Sequence, residues 1–114
     1  MGEAITIFGD GQQTRDFIYV ADIVRTLRAS MDKMHSGEVK QLVSNACTEL
    51  SVSVNKLADI MVEVSGVKVA IDHKDAREGD IKHSRGNAKV MNNILGVTAE
   101  TTLKQGLEAL WKSL

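Results

Sequence analysis

The sequence has no proline among its 114 residues, only one cysteine, and no long apolar run. Average usage of about 5% corresponds to five or six prolines in a chain of this length. The single cysteine, Cys47, excludes an internal disulfide and favours a reducing compartment, so we expect a cytoplasmic location. No stretch approaches the roughly 18 apolar residues of a membrane span, and the first residues lack the pattern of a signal peptide.

The charge balance limits the classes of partner. The formal charge is −1 at pH 7, with 14 basic and 15 acidic residues. Such a chain has no strong field to attract nucleic acid or an anionic membrane, so neither partner is expected. Hydrophobic residues make up 43% and charged residues 25%, which is typical of a single globular domain over residues 1–114. Because a strand-like run begins at residue 4, we expect a further segment upstream of it.

Apolar periodicity predicts a mixed α/β fold with about four short strands and four helices. From Val20 onward, apolar residues recur every three or four positions, as they do on one face of a helix. Ser53 and Thr102 are suited to begin helices, and Gly66 is suited to end one. The predicted strands are residues 4–8, 15–19, 39–44 and 67–71; the predicted helices run from Val20 to about residue 34, from Ser53 to Gly66, from Asn87 to Gly96 and onward from Thr102; residues 72–86 are predicted to be a charged loop.

Most of the side chains that are often catalytic or metal-binding in proteins are better explained here by a structural role. Cys47 follows a predicted strand, and a buried structural thiol is favoured over a nucleophile. Trp111 lies on the apolar stripe of the last helix and is predicted to belong to the core. Tyr19 is the only tyrosine, and Ile23 stands four residues later, so the Tyr-x-x-x-Lys pair of short-chain reductases is absent. The three histidines and the cysteine are too scattered to predict a metal site.

The run Gly9-Asp10-Gly11 follows a predicted strand and has two possible interpretations. A dinucleotide-binding loop needs a third glycine three positions later and then a helix, so that backbone N–H groups face the pyrophosphate. Thr14 occupies that third position, and the residues after it predict a strand. A plain turn is therefore favoured over a dinucleotide loop.

The segment from Asp75 to Arg85 is the most charged part of the chain. A solvated loop explains the composition of this segment as well as a binding site does. Arginines near a glycine turn can nevertheless direct planar guanidinium groups at phosphate oxygens, and Arg77 and Arg15 both lie near such turns. Asp80 is suited to accept from sugar hydroxyl groups. Together these three residues suit a nucleoside diphosphate, provided that the fold brings them together.

Several motifs resemble those of the nucleotide-sugar epimerases and dehydratases of the extended short-chain dehydrogenase/reductase family. They occur in the order of the family and cover essentially the whole chain. The matching stretches are GDGQQTRDFIYV at 9–20, Asn45-Ala46-Cys47, SVNKLA at 53–58, REGDIKHS at 77–84, Ile94-Leu95-Gly96 and LKQGL at 103–107.

The resemblance is confined to the C-terminal third of such enzymes, and this has consequences for fold and activity. It implies a small substrate-binding subdomain without a complete Rossmann sheet. In the family, the NAD loop and the catalytic tyrosine–lysine pair belong to the N-terminal portion, so no cofactor is expected to bind this chain alone. The resemblance implies that Arg15 and Arg77 contact the diphosphate, that Phe17 and Val54 line the nucleotide pocket, and that Asp80 binds a ribose hydroxyl.

Three functions remain open at this point. The chain is either a truncated or free-standing domain that binds a UDP-sugar weakly, an interaction module that forms a homodimer and has lost ligand binding, or one half of a split enzyme with a separate NAD-binding chain. Catalytic activity of the chain alone is not expected, because the residues for hydride transfer are missing. Cys47 and Glu49 replace family glycines, so we also expect the turn that contains them to have changed shape.

Overall fold

The computed structural model describes residues 4–114 and confirms a mixed α/β fold. Within this range the chain forms four helices and four short strands. The strands are β1 (Ile5–Phe8), β2 (Thr14–Arg15), β3 (Val52–Ser53) and β4 (Ile71–Lys74); the helices are α1 (Val20–His35), α2 (Val54–Ser65), α3 (Lys89–Asn93) and α4 (Leu103–Lys112).

The strands form two separate pairs. β1 and β4 are parallel, with Ile5 opposite Ile71, whereas β2 and β3 are antiparallel, with Thr14 opposite Ser53. Thr14 also forms an isolated parallel bridge with His83 on its other side. The short strand β2 therefore lies between β3 and the charged segment, which brings three distant parts of the sequence together.

The predicted strand positions are only partly correct. The prediction at 39–44 is wrong, since this segment has no ladder partner among residues 4–114. The strand predicted at 67–71 is displaced to 71–74, and the one predicted at 15–19 is limited to 14–15. In both cases the ladder occurs where a neighbouring strand is available, which local alternation of side chains does not reveal.

The helix ends follow their local signals more closely. The Ser53 side chain accepts from the backbone N–H of Lys56, and Gly66 ends α2 in the left-handed region with φ of 69°. Thr102 begins α4 with a full capping box. Helix α3 has Ala88 rather than Asn87 as its N-cap, but the Asn87 side chain accepts from the N–H of Lys89, as a residue at the start of a helix does.

Helix α1 has the predicted position, but its apolar face is open to solvent. Met31 is 69% exposed, and Val20, Val24, Leu27 and Met34 are exposed on the same helix. The buried residues of α1 are instead Asp22 and Thr26. Trp111 is also exposed, so its predicted place in the core is wrong.

Asp22 is a buried charged residue of α1 that contacts the segment before α4. Its carboxylate accepts from the backbone N–H groups of Glu100 and Thr101, each at 3.2 Å, and from the Arg25 guanidinium at 3.0 Å. Since Asp22 is only 1% exposed, these bonds replace the water that its charge would otherwise need. They fix the segment before α4 against α1.

The molecule is flat and exposes much surface for its size. Its principal extents are 52 × 33 × 17 Å, and its radius of gyration is 17.0 Å, against about 13 Å for a compact domain of this length. The accessible surface is 8157 Å², roughly a third more than a monomer of this mass normally exposes. None of the helices within residues 4–114 is both long and apolar enough to cross a bilayer.

Replacing Asp22 tests whether this carboxylate holds α1 and α4 together. Asp22→Ala leaves two backbone N–H groups without their acceptor and removes one of the partners of Arg25, so we expect a loss of about 3 kcal/mol in the free energy of unfolding. Urea denaturation measures it. Asp32→Ala, on the exposed side of the same helix, should change stability by less than about 0.5 kcal/mol. Equal losses in the two variants would contradict this role.

Candidate functional site

Two of the predicted site residues, Arg15 and Asp80, form an ion pair. The Arg15 Nη2 atom lies 3.1 Å from Oδ1 of Asp80, and both side chains are somewhat more than a quarter exposed. Nη1 of Arg15 donates to the backbone carbonyl of Thr14 at 2.7 Å. The guanidinium is therefore held at the surface of β2 and still faces solvent.

Arg77 and Asp80 are the two ends of one tight turn. The N–H of Asp80 donates to the carbonyl of Arg77 at 3.2 Å, and Gly79 has φ of 77°. Positive φ at the third position of a turn, with Glu78 outside the positive region, is the pattern of a type II turn. Glycine is the residue that adopts this conformation without strain.

Arg77 is oriented by an aromatic ring. Its guanidinium carbon lies 4.7 Å from the centre of the Phe8 ring, at the end of β1, which is a cation–π contact. The contact attaches the turn to the parallel β1–β4 pair, while Arg15 attaches the other end of the turn to β2. The two arginines are thus connected through Asp80.

Val54 and Phe17 have different surroundings. The N–H of Val54 donates to the carbonyl of Gln13 at 3.0 Å, which places Val54 beside β2. Phe17 lines a groove of about 360 Å³ together with Tyr19, Leu57 and other residues of α2 and α4. The structure therefore gathers Arg15, Val54 and Asp80 around β2 and links Arg77 to them by the turn, and it places Phe17 on a separate groove.

Thr14 and His83 are polar neighbours of this cluster that the sequence analysis did not single out. Thr14 Oγ1 lies 2.9 Å from Nδ1 of His83. The two residues are 69 positions apart, and only the bridge between β2 and the charged segment joins them. The REGDIKHS motif contains His83 but gives no signal of its partner.

The Asp16 carboxylate fixes the other side of β2. It accepts from the Thr48 hydroxyl at 2.5 Å, from the N–H groups of Thr48 and Glu49 at 3.0 and 2.8 Å, and from the N–H of Gly86 at 3.3 Å. Burial opposes its ionisation, but the hydrogen bonds outweigh burial and hold the pKa of Asp16 below its ordinary value. The residue after Arg15 is thereby anchored to two distant loops.

The turn that follows Cys47 has a conformation typical of glycine at Glu49. Glu49 has φ of 65°, a strained value for a residue with a side chain. Its Oε1 atom accepts from the N–H of Ala88 at 2.6 Å, which helps to hold that conformation. Cys47 is buried as predicted, and burial raises the pKa of its thiol.

The glycines at 9 and 11 form a turn, as predicted. Both have positive φ, and a side chain on Gly11 would collide with the Asn55 amide. The chain then enters β2 rather than a helix. A dinucleotide loop is therefore not formed here, and residues 4–114 contain no cluster of three or more potential metal ligands.

A second groove, of about 530 Å³, lies between α2 and α4. Its lining is almost entirely apolar and includes Ile5, Met61, Val64 and Trp111. None of the five predicted site residues contributes to it. The groove belongs to the exposed apolar surface rather than to the charged cluster.

Known proteins are similar to this chain over most of its length. The model of the family described as GDP-mannose 4,6 dehydratase matches residues 1–110. The chain is similar to an uncharacterized UDP-glucose epimerase of Bacillus subtilis, with 32% identity over 90% of this chain and 32% of that protein. It is also similar to human UDP-glucose 4-epimerase, with 29% identity over 96% of this chain and 33% of that protein.

Solved structures give the same result at the level of the fold. The UDP-glucose 4-epimerase of Thermotoga maritima with UDP-glucose matches with a TM-score of 0.86 and 29% identity, over 97% of this chain and 34% of that one. The UDP-glucuronic acid 4-epimerase of Bacillus cereus, in complex with UDP-glucuronic acid and NAD, matches with a TM-score of 0.82 and 26% identity, over 96% of this chain and 34% of that one. The chain spans about a third of the length of the relatives it matches.

The acid response of an Asp16→Asn variant tests the anchoring role of this carboxylate. Because its folded pKa lies below its ordinary value of 3.8, its hydrogen bonds add stability above that pH, and this stability is lost as the pH falls through the lower folded pKa. Urea denaturation should show Asp16→Asn less stable than wild type by about 2 kcal/mol at neutral pH, with a gap that narrows in acid.

Asp32→Asn removes a carboxylate from the exposed side of α1 and controls for the change in net charge. It should leave stability nearly unchanged at both pH values. A stability gap for Asp16→Asn that stays constant from neutral pH to about pH 3 would contradict the assignment.

Proposed function

The chain belongs to the GDP-mannose 4,6 dehydratase family, and we propose that it binds the nucleoside diphosphate part of a nucleotide sugar. The observation that carries this proposal is the Arg15–Asp80 ion pair at one end of the turn that begins with Arg77. Arg15 is thus paired with Asp80, and Arg77 is joined to Asp80 by the turn. In our proposal these two guanidinium groups and this carboxylate act together on a diphosphate and its neighbouring sugar.

The chemistry of these groups supports such a ligand. A guanidinium presents several N–H donors in a plane and matches the oxygens of a phosphate. The guanidinium of Arg77 lies over the Phe8 ring, and in our proposal its N–H groups donate to the diphosphate. In our proposal the diphosphate takes the donors of Arg15 that now face Asp80, and Asp80 turns to accept from a ribose hydroxyl.

The nucleotide end of the ligand is assigned to Val54 and Phe17. Val54 begins α2 beside β2, and Phe17 follows Arg15 by two residues. UDP-sugars are the proposed ligands because relatives are named UDP-glucose epimerases and one similar structure holds UDP-glucose. A pocket formed by a third of such a protein leaves much of the ligand in water, so we expect weak binding.

The described residues do not fit an NAD site. The glycine turn at 9–11 leads into a strand, and Tyr19, the only tyrosine of the sequence, is followed four residues later by Ile23 and not by a lysine. We therefore assign hydride transfer to a separate NAD-binding part, either in the same protein or in another chain. This chain alone is proposed to be inactive, and a cytoplasmic location is proposed from its single cysteine.

Calorimetric titration with UDP tests the binding site. Wild type should bind UDP more tightly than UMP, since the second phosphate adds charged hydrogen bonds. Arg15→Ala and Arg77→Ala should each weaken UDP binding about ten-fold or more, because each removes such bonds. Arg28→Ala, an exposed arginine of α1, is the matched control and should bind UDP as wild type does.

Unchanged affinity in both arginine variants would overturn the site assignment. NAD should give no binding heat with this chain. Saturable NAD binding that competes with UDP would contradict the division of roles between this chain and a separate NAD-binding part.

Self-association into a homodimer is a second candidate function, and the large exposed surface favours it. The apolar residues of α1 recur at alternating steps of four and three, from Val20 to Met34, which is the spacing of a helix–helix seam. Contiguous apolar surface of this kind marks interaction sites in soluble proteins. A two-fold dimer is the simplest closed assembly that would cover it.

Sedimentation velocity tests this second candidate. The wild-type protein should sediment as a species of twice the monomer mass at high concentration and dissociate on dilution. Addition of UDP should leave the mass unchanged, since the arginine cluster and α1 lie on different elements. A monomer at every concentration would eliminate the homodimer.

A further inference from the structure

Asn55, the second residue of α2, joins this helix to the glycine turn at 9–11. Its side-chain Nδ2 atom donates to the backbone carbonyl of Asp10 at 3.0 Å, and its backbone N–H donates to the carbonyl of Gly11, also at 3.0 Å. The contact is so close that a Cβ atom on Gly11 would lie 1.9 Å from Oδ1 of Asn55. The turn that leads into β2 is therefore docked on the first residues of α2.

His73 of β4 lies on the other side of the Asn55 amide. The Nε2 atom of His73 is 3.1 Å from Oδ1 of Asn55. The amide nitrogen must face the Asp10 carbonyl, because a carbonyl oxygen only accepts, and this leaves the amide oxygen for His73. The imidazole therefore donates from Nε2, and this hydrogen is present in one neutral tautomer and in the imidazolium.

His73 is the one polar member of an otherwise apolar row on the β1–β4 pair. In this parallel register His73 stands opposite Ile7, and Ile71 stands opposite Ile5. Alternate residues of a strand share a face, so the three isoleucines and the histidine lie on the same side of the pair. The bond to Asn55 connects this side of the pair to the start of α2.

The side chain of Asn55 thus links the two strand pairs that carry the candidate site. Within residues 4–114, β1 and β4 form one sheet and β2 and β3 form another. Arg77 lies over the ring of Phe8 at the end of β1, whereas Arg15 belongs to β2. A link that holds one sheet against the other also holds the two arginines at a given separation.

We propose that Asn55, held by His73, is a positioning residue for the diphosphate and sets the preference of the site for two phosphates over one. A diphosphate that contacts both Arg15 and Arg77 needs the two guanidinium groups at a fixed separation, which depends on the residues that support them. A monophosphate can be held by one of them. This inference rests on the proposed nucleotide site and extends it to two residues outside the five assigned to the ligand.

The ratio of UDP affinity to UMP affinity, measured by calorimetric titration, tests this role. Asn55→Ala removes both side-chain bonds, and His73→Leu removes the bond from β4 alone. Each variant should lower the ratio about five-fold, chiefly by weakening UDP binding, which corresponds to the loss of a typical hydrogen bond. His73→Gln restores an N–H donor and should recover the wild-type ratio.

Asn93→Ala and His35→Leu are the matched controls, because both residues are exposed at the ends of other helices. Both variants should keep the wild-type ratio. Circular dichroism establishes whether each variant is folded. If Asn55→Ala is unfolded, the two His73 variants decide the question.

The outcomes distinguish this inference from the nucleotide site itself. An unchanged ratio in His73→Leu, while Arg15→Ala and Arg77→Ala still weaken UDP binding, would overturn the inference and leave the site in place. Equal losses of UDP and UMP affinity, or a loss in His73→Gln as large as in His73→Leu, would indicate a purely structural role and would also overturn it. A wild type that binds neither UDP nor UMP would eliminate the nucleotide site and this inference with it.

Discussion

The carboxylate of Asp16 joins β2 to the turn at residues 48–49 and to Gly86, and the position of the candidate site depends on these bonds. Arg15 is the neighbour of Asp16, and its guanidinium meets Asp80 on the charged segment. Asp22 has the corresponding role between α1 and the segment before α4. Only a few apolar residues are buried among the described residues. Hydrogen bonds to these two carboxylates therefore hold together elements that a larger hydrophobic core would otherwise fix.

The same shortage of core explains the exposed apolar surface. A flat chain cannot cover both sides of its helices, and α1 therefore turns its polar side inward and its apolar side to solvent. The relatives are about three times as long as this chain. The arginine cluster lies on other elements, and ligand binding and association are thus physically separate in our account.

Local signals were sufficient to predict some elements from the sequence. The Ser53 and Thr102 caps and the Gly66 end depend on a few neighbouring residues, and all three are confirmed. The strand predicted at 39–44 failed because pairing depends on a partner far away in the sequence or outside the described residues. The spacing of apolar residues also could not predict which side of α1 faces inward. Asp22, a charged residue with three hydrogen-bond partners, is buried there, whereas apolar residues usually occupy the buried side of a helix.

The candidate site could likewise be predicted only in part. Arg15, Arg77 and Asp80 were selected by their chemistry and by resemblance, whereas their connection needs the bridge of β2 to residue 83 and the turn at 77–80. The central claim is that this surface binds a nucleoside diphosphate. The most direct test is an NMR titration of the labelled protein with UDP. We expect amide shifts confined to β2, the start of α2 and residues 77–83. No shifts at millimolar UDP, or shifts only in the groove between α2 and α4, would rule out this binding surface.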